Sequence, residues 1–186
     1  MSSTSIRLAS PEDAHAIAAV RIEAWRTTYR GMIPDAYLAG MKVEDSASLW
    51  ERVLTAPPNT TNTFVAETSD TMRGFASSMM LAEPRHGFDA ELSAIYVVPA
   101  SQRRGIGRQL LGAVTSAQRA LGATGMIVWV IAANRAARQF YQALGAELVI
   151  EQPFQWDGMD LIEAGYGWRD LDALIEVCGP IRTTLH

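Results

Sequence analysis

A short segment in the middle of the chain combines glycines and arginines in a way that suits anion binding. It is Gln102-Arg103-Arg104-Gly105-Ile106-Gly107-Arg108, and it follows the apolar pair Val97-Val98 and Pro99. Glycines let an anion approach the backbone, the start of a helix offers unpaired N–H groups, and guanidinium groups add charge-assisted hydrogen bonds. The segment therefore predicts a pyrophosphate site, although Gly105 and Gly107 alone would also suit a simple turn into a helix.

Positive charge is concentrated around this segment. Between Glu91 and Glu147 the chain has no aspartate or glutamate, whereas that interval contains the arginines Arg103, Arg104, Arg108, Arg119, Arg135 and Arg138. A solvated helix surface ordinarily mixes both signs of charge at helical spacing. The one-sided charge therefore favours a polyanionic ligand over an exposed basic surface.

The hydrophobic pattern predicts the elements that position these residues. The first part of the chain is predicted to form a strand at 6–8, a helix at about 11–28, a second helical piece that stops at Pro57-Pro58, and a meander of strands at 63–67, 74–81 and 91–98. The second part is predicted to form a helix at 105–121, a buried strand at 127–131, a helix at 134–144, a hairpin of 147–154 and 159–167, and a short helix around 171–175.

This order of elements predicts an α+β fold, a mixed α/β layer. The helix at 105–121 would act as a crossover, so the strands at 91–98 and 127–131 should be parallel neighbours. The length of 186 residues suits one domain, which we assign to residues 1–186.

Composition excludes several classes of protein. With 48% hydrophobic and 19% charged residues the chain is typical of a globular protein, and the net charge of -4 argues against nucleic acid or anionic lipid as a partner. Cys178 is the only cysteine and the histidines His15, His86 and His186 are scattered, so we expect no disulfide and no metal site. No apolar leader occurs in the first ten residues, and the longest apolar run, 126–133, is far below the roughly 20 residues that span a bilayer. We expect a soluble, cytoplasmic protein without a membrane partner.

Two motifs resemble those of the GNAT superfamily of acetyl-CoA-dependent N-acetyltransferases. The acetyl-CoA loop of this superfamily has the pattern Gln/Arg-x-x-Gly-x-Gly/Ala, which residues 102–107 match throughout. A second pattern, Asn-x-x-Ala-x-x-x-Tyr-x-x-x-Gly, is similar to the segment from Asn134 to Gly145, with Ala137 and Tyr141 at the matching positions. The resemblance covers about 6–168 and leaves 169–186 as a C-terminal tail.

The resemblance implies a mixed, mostly antiparallel central sheet with helices on both faces, and acetyl-CoA as the acetyl donor without a metal. The fourth and fifth strands would part to receive the pantetheine arm near the main chain of Tyr96, Val97 and Val98. Asn134 and Tyr141 would lie beside that arm. The pyrophosphate would be held by the loop residues Arg103, Arg104, Gly105, Ile106, Gly107 and Arg108.

The resemblance also implies chemical roles. Tyr141 would protonate or stabilise the departing thiolate, although an amphipathic helix also suits a core tyrosine at this position. Glu91, at the start of the fourth strand, is the candidate general base acting through water, but a solvent-facing strand residue fits equally well. Ribosomal-protein acetyltransferases carry a glutamate on strand five where this chain has Trp129, which counts against that substrate class.

By the same resemblance, the first helix, the loop after it and the hairpins form the wall for the acceptor. Tyr29 is the predicted acceptor-binding residue, whereas Trp25 lies on the apolar stripe and is predicted to be core. Residues predicted to lie in loops near the amine are Glu83, His86, Asp89, Trp156 and Asp157. The acceptor is a small-molecule amine or a peptide, with a slight preference for the small molecule. The sequence does not determine the oligomeric state, and a homodimer is one possibility because members of this family often pair through their C-terminal strands.

Two alternative functions fit parts of the pattern. A nicotinamide-dependent oxidoreductase would use Gly105-Ile106-Gly107 as the start of its fingerprint, but Leu110 stands at the third glycine position and no acidic residue follows about 20 residues on. A non-catalytic CoA-binding or regulatory module would keep the loop without turnover. Only an acetyltransferase would release free thiol from acetyl-CoA when amines are added.

Overall fold

The computed structural model describes residues 4–57 and 61–180. Its strands are β1 (Ser5–Leu8), β2 (Thr61–Thr68), β3 (Thr71–Arg85), β4 (Phe88–Val97), β5 (Met126–Ile131), β6 (Glu147–Trp156) and β7 (Met159–Trp168). Its α-helices are α1 (Ala14–Thr28), α2 (Asp35–Gly40), α3 (Val43–Thr55), α4 (Ile106–Ala120), α5 (Arg135–Ala143) and α6 (Leu171–Cys178). Each predicted strand and helix is present, with bounds that differ by a few residues. Pro58, predicted to stop the second helical piece, lies outside the described residues.

The strands form one mixed sheet in the order β1-β2-β3-β4-β5-β7-β6. Every neighbouring pair is antiparallel except β4 and β5, which α4 connects as a crossover. The predicted parallel pair and the predicted α+β fold are therefore confirmed. The hairpin between β2 and β3 turns through Ser69 and Asp70, both at positive φ.

Hydrophobic residues cover both faces of the sheet. On one face, Leu110 and Leu111 of α4 pack in a buried cluster with Ala90 and Leu92 of β4. On the other face, Ile17 of α1 packs with residues of α3, β2 and β3. This division follows from strand periodicity, because successive side chains point to opposite faces. Helices therefore flank the sheet on both sides.

The C-terminal tail forms part of the core. The Asp170 side chain caps α6 by accepting a hydrogen bond from the Ala173 N–H at 3.0 Å, and Leu171 and Leu174 of α6 are 1% and 2% exposed. They join the cluster beneath α4. The short helix predicted around 171–175 is confirmed, while residues 181–186 of the predicted tail lie outside the described residues. No helix in 4–57 or 61–180 has the length and apolar character needed to cross a membrane.

Candidate active site

The sheet opens between β4 and β5. Their register contains three residue pairs, from Ala90 opposite Met126 to Leu92 opposite Val128. Beyond these pairs β4 stays paired with β3 as far as Val97, and β5 stays paired with β7 as far as Ile131. The two strands therefore part toward their carboxyl ends, and one backbone edge of each faces the gap.

A β-bulge accounts for the parting. Ser77 of β3 is paired with Ala94 and Ser78 with Leu92, so Ser93 is an extra residue in β4. A bulge bends its strand and increases the local twist. It follows directly after the last β4–β5 pair, and it turns the remainder of β4 away from β5.

The predicted anion loop joins the end of β4 to α4, beside the gap. Arg103 and Gly105 have φ values of 62° and 81°, in the left-handed region, and Gly105 is the N-cap of α4. The first intrahelical bond runs from the Gln109 N–H to the Gly105 carbonyl at 3.1 Å. The preceding N–H groups of Ile106, Gly107 and Arg108 therefore have no acceptor within the helix.

Two glycines of the loop serve different purposes. A Cβ on Gly107 would lie 3.3 Å from the Phe140 ring of α5, so this glycine allows α4 and α5 to approach closely. A Cβ on Gly105 would meet nothing within 4 Å, and its requirement is the left-handed backbone alone. Open space around Gly105 is what a site for an anion needs.

Three of the six arginines in the acid-free interval are bound within the protein. Arg108 donates from Nε to the Cys178 carbonyl at 3.0 Å and also to the Val177 carbonyl, which ties α4 to the end of α6. Arg119 pairs with Asp172 of α6 at 2.9 Å. The guanidinium of Arg108, predicted to help hold the pyrophosphate, is therefore engaged elsewhere, and its backbone N–H remains for the loop.

Arg138 is also occupied. It donates to the Tyr166 hydroxyl at 2.9 Å and to the Ala132 carbonyl at 2.9 Å, and it pairs with Glu151 at 2.7 Å. The inference from one-sided charge is wrong for these arginines, because their acidic and carbonyl partners come from segments outside the interval or from the backbone. Within the described part of the chain, Arg103, Arg104 and Arg135 are exposed and have no side-chain hydrogen bond or ion pair.

Two backbone groups at the end of β4 are already paired. The Gln102 side chain donates from Nε2 to the Val97 carbonyl at 3.0 Å. The Val98 N–H donates to the Arg73 carbonyl at 2.9 Å. Both residues were predicted to meet the pantetheine arm, and these particular groups are held by the protein itself.

Asn134 and Tyr141 lie at opposite ends of α5. Asn134 is 4% exposed and caps the helix, its Oδ1 accepting from the Ala137 N–H at 3.1 Å. The Tyr141 ring packs edge-on against Trp168 with 5.8 Å between ring centroids. Burial raises the pKa of the Tyr141 phenol, and the neighbouring Tyr96 raises it further.

Three tyrosines from separate elements lie close enough beside the gap to influence one another electrostatically. Tyr29, the C-cap residue of α1, is buried. Burial raises the pKa of the Tyr29 phenol, and the electrostatic effect of the Tyr96 phenol and a hydrogen bond with it raise this pKa further. Tyr141 acts in the same direction, whereas Arg21 lowers the pKa. The structure thus brings together the predicted acceptor residue Tyr29, the predicted acid Tyr141, and Tyr96 of β4.

Glu91 lies in β4 among the last residues paired with β5, opposite Ile127. It is half-buried. Burial raises the pKa of its carboxyl group, Glu163 of β7 raises it further, and Arg85 opposes this rise. Glu163 was not predicted as a site residue, since strand periodicity gives no indication that β7 lies close to β4.

An aromatic cluster forms the wall on the α1 side. The Trp25 ring contacts Tyr29 at 4.8 Å, Trp156 at 4.7 Å and Tyr96 at 6.4 Å, measured between ring centroids. Tyr37 of α2 contacts Trp156 at 5.7 Å. Trp25 is 5% exposed, so its prediction as a core residue is confirmed, although the same ring borders the site.

Several residues predicted to lie in loops near the amine have other positions. Asp89 lies in β4 and accepts hydrogen bonds from the Thr124 and Gly125 N–H groups at 3.0 Å, which fixes the turn before β5. Glu83 lies in β3 and Trp156 in β6, so the loop assignment is wrong for them as well. Among the described residues, no group of three or more histidine, cysteine, aspartate or glutamate side chains could hold a metal ion.

Sequence comparisons identify relatives over most of the chain. The model of the acetyltransferase (GNAT) family matches residues 22–146, which include the gap, the anion loop and α5. The chain is 37% identical over 171 residues to the uncharacterized N-acetyltransferase YuaI of Bacillus subtilis strain 168, and this match covers 91% of the chain and 95% of YuaI.

Solved structures share the fold. PaiA N-acetyltransferase from Thermoplasma acidophilum, in complex with coenzyme A, has a TM-score of 0.69 and 24% identity, covering 87% of this chain and 98% of PaiA. YncA from Salmonella typhimurium, with its cofactor acetyl-CoA, has a TM-score of 0.68 and 23% identity, covering 90% and 94% of the two chains. At these identities the likeness concerns the fold.

Proposed function

Since this chain belongs to the acetyltransferase (GNAT) family and is an acetyl-CoA-dependent N-acetyltransferase, we propose that it transfers the acetyl group directly to a primary amine within a ternary complex. The observation that carries the proposal is the parting of β4 and β5, with the anion loop at one side and the three tyrosines at the other. A thioester lying in this gap would have the cofactor groups and the acceptor wall on opposite sides.

The cofactor is proposed to bind mainly through the backbone. The strand edges at the gap offer N–H and C=O groups to the two amides of pantetheine, and the first N–H groups of α4 offer donors to the pyrophosphate. Arg103 and Arg104 are exposed and free of side-chain partners in the described residues, so they suit the phosphate charges. The carboxamide oxygen of Asn134 caps α5, which leaves its NH2 group for a pantetheine carbonyl.

Tyr141 is proposed as the general acid. The amine attacks the thioester carbonyl and forms the C–N bond, and collapse of the tetrahedral intermediate then breaks the C–S bond and expels the thiolate. The raised pKa keeps this phenol protonated at neutral pH and makes it a weaker acid, so its proposed role is to hydrogen-bond the thiolate sulfur as charge develops and to pass its proton to the sulfur as the C–S bond breaks. As the amide forms, the nitrogen loses a further proton, which returns Tyr141 to its neutral form through solvent, and the products are an acetamide and coenzyme A as its thiol.

Glu91 is proposed as the general base, acting through a water molecule. The acceptor reaches the enzyme mainly as an ammonium ion and must lose a proton before attack. A carboxyl group whose pKa is raised by burial and by Glu163 is a better base near neutral pH than an exposed glutamate. Tyr29 and the aromatic cluster around Trp25 are proposed to enclose the acceptor, which favours a small-molecule amine over a peptide.

Replacement of Tyr141 by phenylalanine tests this mechanism. Tyr141→Phe keeps the ring and its packing on Trp168, so folding and acetyl-CoA affinity should be retained while the single-turnover rate falls about 10²–10⁴-fold. Tyr166→Phe is the matched control, because it removes a buried hydroxyl that binds Arg138 and lies outside the proposed chemistry. A wild-type single-turnover rate in Tyr141→Phe would exclude this residue as the acid.

A thiol-release assay tests the alternative of a non-catalytic CoA-binding module. Wild-type protein is mixed with acetyl-CoA and a panel of primary amines, and free thiol is measured with a chromogenic reagent. The proposal expects thiol release that depends on the amine. Tight acetyl-CoA binding without thiol release from any amine would support the binding module instead.

A further inference from the structure

A cavity of about 380 Å³ lies between α1, α2 and the start of α3, on the acceptor side of the sheet. Its lining includes two cations, Arg21 and Lys42, one carboxylate, Asp45, and the side chains of Tyr37 and Ser46. The Tyr37 hydroxyl is hydrogen-bonded to Asp157. Lys42 is the only lysine in the chain. The cavity therefore combines positive charge with hydrogen-bond donors in a space large enough for a small polar group.

Arg21 is the unusual member of this cavity. It is half-buried, and its guanidinium carbon lies 4.5 Å from the centroid of the Trp25 ring. Its side chain donates a hydrogen bond to the Ser46 hydroxyl at 3.4 Å, and it forms no ion pair within the described residues, although Asp45 lines the same cavity. A partly buried guanidinium without a carboxylate partner is costly, and an anionic ligand would offset that cost.

The cavity borders the aromatic cluster beside the gap, because Tyr37 lines the cavity and its ring contacts Trp156 at 5.7 Å. Trp25 is buried and packs behind these residues, where its ring contacts both the Arg21 guanidinium and Tyr29. The charge of Arg21 also opposes the rise in the pKa of the Tyr29 phenol. A ligand in the cavity could therefore extend along the half-buried rings of Tyr37 and Trp156 toward the thioester.

We infer that this cavity binds the carboxylate of the acceptor, which makes the acceptor a small amino carboxylate whose amine and carboxylate are separated by an alkyl spacer. Arg21 offers a planar pair of donors to the carboxylate, Lys42 adds a second positive charge, and the Ser46 hydroxyl completes the polar surroundings. The apolar spacer would lie on the rings of Tyr37 and Trp156. This inference rests on the proposed function, because it names the substrate class of that enzyme.

The test compares acceptors that differ only at the end remote from the amine. The acceptors are 4-aminobutanoate, 6-aminohexanoate and 8-aminooctanoate, each paired with the n-alkylamine and the α,ω-diamine of the same length. We expect at least one amino carboxylate to exceed both of its partners in kcat/KM. Preference for the alkylamine or the diamine at every length would overturn the inference.

Variants of Arg21 test whether the preference for an amino carboxylate depends on this residue. Arg21→Gln should lower kcat/KM for the preferred amino carboxylate by about 10- to 100-fold, as expected for loss of a charge-assisted hydrogen bond, and should lower that of its alkylamine partner by a smaller factor, so that the preference for the carboxylate is lost. Arg21→Lys keeps the charge and should recover part of the loss. Arg52→Gln is the matched control, since it removes the same charge from an exposed position of α3 that does not line the cavity.

Calorimetry separates this inference from the proposed function. Hexanoate and 6-aminohexanoate are titrated into the CoA complex, and we expect binding by wild type and Arg52→Gln and its loss in Arg21→Gln. If no amine is acetylated but this binding still requires Arg21, the proposed function fails and the carboxylate site stands. Absence of binding to wild type, equal binding by Arg21→Gln, or weaker acetyl-CoA binding by Arg21→Gln would each overturn the carboxylate site.

Discussion

At the scale of single residues, the charges around Glu91, the proposed general base, should set the pH dependence of the enzyme. Burial has the largest effect and raises the pKa of the Glu91 carboxyl group, while Glu163 adds to the rise and Arg85 counteracts it. A general base acts in its deprotonated form. The acid limb of kcat/KM should therefore lie above the usual range of a glutamate, and changes at Glu163 and Arg85 should move it in opposite directions.

Glu91→Gln should lower the single-turnover rate by about 10²–10⁴-fold at neutral pH and leave acetyl-CoA affinity unchanged. The pH profiles of two further variants test the assignment. Glu163→Gln removes a negative neighbour and should shift the acid limb to lower pH, whereas Arg85→Gln removes a positive neighbour and should shift it to higher pH. Identical profiles in wild type and both variants would show that another group, or the amine itself, sets the acid limb.

At the scale of elements, the loop before α4 acts through its backbone conformation. Gly105 has a φ of 81° with open space around the Cβ position, and the N–H groups that follow it have no acceptor within the helix. Position 105 therefore has two requirements, a left-handed backbone conformation and, for the proposed phosphate site, room for an anion. Two substitutions test these requirements separately.

Gly105→Asp should abolish acetyl-CoA binding, because it introduces both a side chain and a negative charge into the proposed phosphate site. Gly105→Ala carries the same backbone strain, of about 1–2 kcal/mol, without the charge, and should retain measurable affinity. Isothermal calorimetry at low and high salt distinguishes the two variants, since the phosphate contacts should weaken as salt is added. Equal loss of affinity in both variants would indicate that strain, and not anion binding, explains the effect.

At the scale of the whole molecule, α6 belongs to the domain core even though the family match ends at residue 146. Leu171 and Leu174 are buried beneath α4, and Arg108 of α4 binds the last carbonyl groups of α6. The helix that carries the anion loop is thus supported from the C-terminal end of the chain.

Leu174→Ala should reduce the free energy of unfolding by about 2–5 kcal/mol, as expected for truncation of a buried leucine. Val177→Ala serves as the control on the same helix, because Val177 is 44% exposed and its truncation should change stability by about 0.5 kcal/mol or less. Urea denaturation followed by circular dichroism measures both. A Leu174→Ala protein as stable as Val177→Ala would contradict the assignment of α6 to the core.

Most of the fold could be predicted from the sequence, because its signals are local. The apolar run of β5, the turn at Ser69-Asp70 and the crossover through α4 each follow from residues close together in the chain. The bulge at Ser93 could not be predicted, since it is defined by its pairing with another strand.

The candidate site was less predictable than the fold, because its contacts join residues that are far apart in the sequence. Motif spacing identified Tyr141 and the loop, but the partners of the arginines come from distant segments, as shown by Arg119 and Asp172, which are 53 positions apart. Periodicity indicates which face a side chain occupies and does not indicate what lies opposite. Arg21 and Glu163 were missed because their significance depends on neighbours from other elements.

The gap between β4 and β5 should also affect the thermal stability of the protein. The three residue pairs between them are the only register that joins β1–β4 to β5–β7 within the described sheet, so each half can open with little loss of pairing. A cofactor bound in the gap would contact both halves of the sheet and stabilise their association. Amide deuterium uptake at 93–97 should therefore slow when coenzyme A is added. Acetyl-CoA at 100 times its Kd would add about 2.7 kcal/mol to the free energy of unfolding. The melting temperature of this enzyme should therefore rise and fall with the supply of its own substrate.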